Sequence, residues 1–165
     1  MLDAEQSAAR FGSHGRDSVA LRFAAFYGPD SRLLRDIIAL VRRGIAPMPG
    51  APGAFISSVS HDDAATAVVA ALELPPGIYN VSDDEPVTHR QYFDSLAAAF
   101  EVSSPRLPPA WATPLFGSAG SMLARSPRIW NRKLEAACGF RPRYPSVREG
   151  FRALAAVPVG DHAFV

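Results

Sequence analysis

Between Val19 and Phe26 every residue but Arg22 is apolar, and Tyr27-Gly28-Pro29-Asp30 closes the run abruptly. A short apolar run without polar alternation fits a strand buried on both faces of a parallel sheet. Parallel strands need long crossover connections, usually helices, and the sequence supplies them. From Ser31 to Arg43, residues Leu33, Leu34, Ile37, Ile38 and Val41 recur at helical spacing, with arginines on the other side. Pro47 to Gly53 is a loop, and Phe55 to Val59 a short strand. Ser60-His61-Asp62-Asp63 then opens a helix running to about Leu74; Ser60 and Asp63 have the spacing of a capping box, and the acids suit the positive end of the helix dipole. Pro75-Pro76-Gly77 breaks the chain before a strand at Ile78–Val81, a polar loop at Ser82–Pro86 and a helix from Thr88, its cap, to about Phe100. A helix over Leu2–Phe11 and a turn cluster at Gly12–Asp17 precede the apolar run. Alternating strands and helices predict an α/β layer structure.

After Ser103 the pattern changes. Prolines recur from Pro105 to Pro145 together with Trp111 and Trp130, which predicts an irregular, partly helical region. A last helix is expected over Ser146–Ala155. The expected organisation is therefore residues 1–102, 103–157 and a flexible tail at 158–165. The length of 165 residues fits one domain of ordinary size. A net charge of +1 gives no field that would draw nucleic acid or an anionic membrane. One cysteine, Cys138, excludes a disulfide framework or a cysteine-based zinc site within the chain. No stretch approaches the roughly 18 apolar residues of a membrane span. The start lacks the basic-then-apolar pattern of a secretory signal, so the expected location is cytoplasmic.

Five segments, in order, resemble the extended short-chain dehydrogenase/reductase superfamily, the NAD-dependent epimerase/dehydratase proteins. Leu21–Pro29 resembles a late Rossmann strand ending in Tyr-Gly-Pro. Ser57–Ala65 is similar to a short strand and the helix that paired aspartates begin. Gly77–Val81 with Pro86-Val87-Thr88 resembles a Tyr-Asn-Val strand and a threonine-capped helix. Ser126–Leu134 with Gly139–Pro142 resembles the C-terminal substrate-side segment, and Pro145–Gly150 the start of the last helix. The likeness runs from about Ala4 to Leu154. It implies an α/β fold: the C-terminal half of a Rossmann-like doubly wound parallel sheet, with a small, mainly helical, proline-rich substrate-binding lobe. It also implies NAD or NADP as cofactor and a small-molecule substrate.

Two family motifs are missing. The family's glycine-rich phosphate turn follows its first strand, whereas Gly12-x-x-Gly15 follows a predicted helix and reads as a turn. The family's Tyr-x-x-x-Lys pair requires a lysine, and the sole lysine, Lys133, has Ile129 four residues before it. No catalytic residue is therefore assigned. By resemblance, Phe23, Phe26 and Tyr27 line the nicotinamide region, though Phe23 and Phe26 are equally residues of a buried strand. Ala25 stands at a substrate-side position where sugar-nucleotide members often place asparagine. Arg128 is a candidate for an anionic substrate group, or a solvated surface arginine. Asn131 reads as a helix cap. His61-Asp62-Asp63 reads as capping rather than a metal site, because adjacent side chains diverge; no metal is expected. His14, His89 and His162 read as surface residues.

Two functions stay open. The chain is part of a hydride-transferring oxidoreductase, epimerase or dehydratase, or it is a catalytically inactive binding or interaction module. A partial parallel sheet would expose an edge, which predicts self-association.

Overall fold

One strand was expected across Val19–Phe26; two short ones are found, with different neighbours. The computed structural model describes residues 2–13, 15, 17–48, 51–109, 111 and 126–156. The expected tail at 158–165, His14 and His162 lie outside them. Strand β1 (Val19–Phe23) runs parallel to β5 (Gly77–Val81), with Val19 opposite Gly77 and Phe23 opposite Val81. Strand β2 (Ala25–Tyr27) runs parallel to β4 (Ser58–Ser60), with Ala25 opposite Ser58. The exchange happens across one peptide. Ala24 N–H donates to the Val81 carbonyl and Ala25 N–H to the Ser57 carbonyl, both at 3.0 Å. A third pair is antiparallel: β3 (Phe55–Ile56) with β6 (Val87–Thr88). In the sequence, Val87-Thr88 shows only the end of a loop and a helix cap. Among the described residues β1 has one strand neighbour, so it is half-buried rather than enclosed.

Helices cover both faces. Parity along β2 sends Tyr27 to one side and Phe26, opposite Val59 of β4, to the other. On the Tyr27 side lie α2 (Arg32–Val41), α4 (His89–Ala99) and α6 (Val147–Ala156), whose Leu34, Ile38, Phe93, Leu96 and Phe151 make one core. On the Val59 side lie α3 (His61–Ala70), a 3₁₀ turn at Ala71–Glu73, and α5 (Arg132–Cys138). Ala64, Ala67, Tyr79, Val81, Leu134 and Phe140 make the second core. Residues before and after position 102 contribute to both cores. Helix α1 (Leu2–Gly12) is tied to β1 by a two-pronged pair from Arg22 Nε and Nη2 to Glu5, at 2.7 and 2.6 Å.

Both expected caps are present. Ser60 Oγ accepts from Asp63 N–H at 3.0 Å. Thr88 and Gln91 form a full capping box, at 3.2 and 2.9 Å. Lys133 bridges elements: its Nζ donates to the Ile78 carbonyl at 2.9 Å and lies 4.4 Å from the Tyr79 ring centre, clamping α5 onto β5. No helix of the described residues is long and apolar enough to cross a membrane.

Helix α6 approaches β2 closely because residue 150 is glycine. Tyr27 lies against the backbone there, and a Cβ on Gly150 would overlap its ring. Phe151 then meets Tyr27 and Tyr92 edge-on, at 5.7 and 5.1 Å. Edge-to-face pairs of this kind each add about 0.5–1.5 kcal/mol beyond area burial. Gly150→Ala is expected to destabilise the chain by about 1–3 kcal/mol through overpacking. Denaturant unfolding of the variant beside the parent checks this; an unchanged midpoint would refute the close-approach account.

Candidate functional site

The exchange of partners at Ala24–Ala25 leaves a cleft at the C-terminal end of β1, where Rossmann-like sheets bind ligands. Its cavity measures about 250 Å³, lined by Phe23, Ala24, Ala25, Met48, Ile56 and His89, among others. A second cavity of about 270 Å³ adjoins it, floored by Leu34, Ile37, Tyr92 and Phe93. Ala25, Met48 and Ile56 border both. The outer wall of the first is the segment Ser126–Ile129, held by side-chain hydroxyls. Phe55 N–H donates to Ser126 Oγ at 2.9 Å, and Ile129 N–H to Ser57 Oγ at 2.9 Å. Ser57 Oγ in turn donates to the Pro127 carbonyl at 3.2 Å. Pro127 and Ile129 thereby close over the cleft.

Several residues expected at the site gather there and others do not. Phe23 and Ala25 line the cleft. Phe26 stacks on Phe23 with ring centres 5.2 Å apart and remains 49% exposed, so it is no core residue. Tyr27, expected beside the nicotinamide, turns instead into the helix-covered core and is 2% exposed. The reason is strand parity together with the space above Gly150. Arg128 is exposed near the wall, its guanidinium 4.1 Å from the Phe55 ring centre. A cation–π contact of this kind steadies the segment.

Asn131 and His89 are placed differently from expectation. Asn131 holds the N-cap position of α5, its carbonyl accepting from Glu135 N–H at 3.0 Å, but its side chain makes no capping bond. It is buried, and its Nδ2 donates to the Ser82 carbonyl at 3.0 Å and to Asp84 Oδ1 at 2.8 Å. His89 is not a surface residue but 1% exposed. The spacing of His89, Tyr92, Phe93, Leu96 and Ala97 follows one face of α4, and that periodicity was the missed signal. The polar loop at Ser82–Pro86 also buries Ser82 and Asp83. His61 lies outside the cleft, paired with Asp30 at 2.5 Å.

Beneath β2 and β4 lies a buried acidic cluster. Asp63 is held by Ser60 Oγ at 2.6 Å and by Arg143 N–H at 2.8 Å. The Asp83 carboxyl and the neighbouring Tyr27 hydroxyl are buried beside it, facing each other. Burial first, and then the charges of Asp63 and Asp84, push the Asp83 pKa up to about 8. Burial likewise pushes the Tyr27 phenol well above its ordinary range, and Asp83 adds to it.

No family model matches the chain. A 3-diazoavenalumate denitrifying reductase from Streptomyces is 35% identical over 138 residues, covering 80% of this chain and 45% of that protein. A 2-alkyl-3-oxoalkanoate reductase from Shewanella oneidensis is 30% identical over 146 residues, covering 82% of this chain and 37% of that protein. The UDP-glucose 4-epimerase of Thermus thermophilus, solved with NAD, superposes with a TM-score of 0.69 at 28% identity, covering 92% of this chain and 50% of that one. A human epimerase family protein solved with NADPH gives a TM-score of 0.74 at 18% identity, covering 84% and 48%, a likeness of fold alone. The chain spans half or less of the length of each of these relatives.

Two consequences of this geometry are measurable. Ser57→Ala removes the acceptor of the Ile129 amide, and one such bond is worth about 1 kcal/mol. Amide exchange at Ile129 should quicken by roughly fivefold while Leu96 in α4 keeps its rate; equal protection in both proteins would refute the strap. Asp83 concerns pH. Its folded pKa is raised, so the folded state retains a proton that the unfolded chain releases near 3.8. Its contribution is complete below that pH and is lost as pH rises towards about 8. Unfolding free energies of the parent should therefore fall relative to Asp83→Asn across that window, with a slope of at most about 1.4 kcal/mol per pH unit. Parallel curves for the two proteins would show that Asp83 titrates normally.

Proposed function

This chain belongs to the extended short-chain dehydrogenase/reductase superfamily, and on that footing we propose that it forms the substrate side of an NAD(P)-dependent reductase acting on a largely apolar carbonyl compound. The observation that carries the reading is the pair of adjoining apolar cavities meeting at Ala25, Met48 and Ile56. A sugar nucleotide needs hydrogen-bonding groups there, and Ala25 offers none. The two reductase relatives act, by their names, on a 2-alkyl-3-oxoalkanoate and on 3-diazoavenalumate. An alkyl 3-oxo compound or an aryl one is the substrate class that matches such walls.

The residues present suit the nicotinamide end of the cofactor. Phe23, at the end of β1, and Phe26, within β2, offer a partly exposed aromatic pair. Their rings would hold the flat ring and exclude water from the transfer path. The nicotinamide, when bound, supplies or accepts the hydride. Ala25 and Met48 would then shape the space for the substrate, and Arg128 would sit at its rim. No glycine-rich turn follows a strand here, so these residues alone offer the pyrophosphate no cradle.

Ligand-observed NMR on the full chain tests the reading. Ethyl 2-methyl-3-oxobutanoate should give saturation transfer and UDP-glucose none; the reverse would overturn the apolar assignment. In calorimetry, NADH and NADPH should give weak heats. Tight binding by these residues alone would contradict their assignment to the substrate side.

A second reading concerns association. Among the described residues one edge of β1 is open, and Val68, Val69 and Leu72 separately expose apolar surface, Leu72 at 85%. Exposed edges and apolar patches favour pairing. Light scattering is expected to find a dimer or larger species; a monodisperse monomer at high concentration would dismiss it.

A further inference from the structure

His89 is held in the cleft with hydrogen-bonding capacity that the fold leaves unused. It is the first residue of α4, and its backbone N–H donates to the Ala54 carbonyl at 2.8 Å. Its side chain is 1% exposed, and among the described residues Nδ1 has no hydrogen-bond partner. Burial holds the imidazole pKa below its ordinary value, so the ring is uncharged at neutral pH, with one donor and one acceptor nitrogen. A buried polar group without a partner costs folding free energy. An apolar residue would continue the buried face of Tyr92, Phe93 and Leu96 without that cost. The imidazole therefore has a use outside packing.

The cleft indicates what that use is. Among the described residues its lining is apolar apart from Ser57 and His89. The Ser57 hydroxyl is engaged in both directions, accepting from Ile129 and donating to Pro127. Among the described residues of the lining, His89 is thus the polar side chain with a bond still to make. A cavity of about 250 Å³ holds a ring with a substituent, since roughly 150 Å³ suffices for benzene. One fixed polar group among apolar walls orients a ligand and sets its specificity.

We propose that the His89 imidazole is the orienting group of the substrate cleft, donating a hydrogen bond to a carbonyl oxygen of a small aryl or alkyl ligand. This rests on the apolar cleft being the substrate site. The role is one of binding and positioning; no bond to His89 forms or breaks.

A matched pair of probes tests it on the full chain. Acetophenone and α-methylstyrene share a shape and differ in C=O against C=CH₂. Binding of each is followed by titration, with the imidazole nitrogen resonances of His89 as reporter. Acetophenone should bind roughly two- to tenfold more tightly, the range of one net hydrogen bond, and should shift the His89 nitrogens. His89→Phe should abolish the preference while retaining α-methylstyrene; His89→Gln, which keeps a donor, should retain part of it. Equal affinities in the parent, or no change at the His89 nitrogens, would overturn the role of His89 and leave the apolar cleft standing. Binding of neither probe would overturn the cleft reading and the proposal with it.

Discussion

A backbone amide removed from water must find an acceptor, and the strand through Val19–Tyr27 meets that demand with two neighbours. Up to Ala24 the acceptors belong to β5; from Ala25 they belong to the segment entering β4. The residues at the exchange cannot all lie under the same cover. Phe23, Ala24 and Ala25 consequently border a gap, and the cleft is the space left where β4 and β5 part. The site thus arises from hydrogen-bond geometry before any special side chain is considered. Side chains then furnish it: Met48 and Ile56 close the floor, and Pro127 and Ile129 form the wall.

The same strand anchors the helix layer. Tyr27 goes under α6 because Gly150 leaves room for its ring, and this commits the residue to packing. Its phenol and the Asp83 carboxyl face each other, buried away from water. A protonated Asp83 is the form that this environment tolerates. Aromatic packing on one side and a protonated acid beneath it therefore meet at a single residue.

Much of this was legible in the sequence, and what was not has physical causes. Element order, the caps at Ser60 and Thr88 and the break at Pro75-Pro76-Gly77 rest on local chemistry, and local chemistry is what a sequence displays. The division at Ala24 was hidden because an apolar run looks the same whether one neighbour or two accept its hydrogen bonds. β6 is two residues long and exists through β3, a contact across about thirty positions. Asn131 has a cap's place and composition, yet its partners, Ser82 and Asp84, come from a distant turn. The candidate site divides likewise: Phe23, Phe26 and Ala25 follow from strand position, whereas His89 required counting the helical period from a polar residue.

Lys133 has a consequence beyond holding α5 to β5. It is the one lysine in the sequence, and its ammonium is already engaged by the Ile78 carbonyl and the Tyr79 ring. Chemistry directed at side-chain amines therefore finds one address on this chain, and that address is a joint between a helix and a strand. A label carried by Lys133 sits at that joint on the exposed surface, placed there without any mutation.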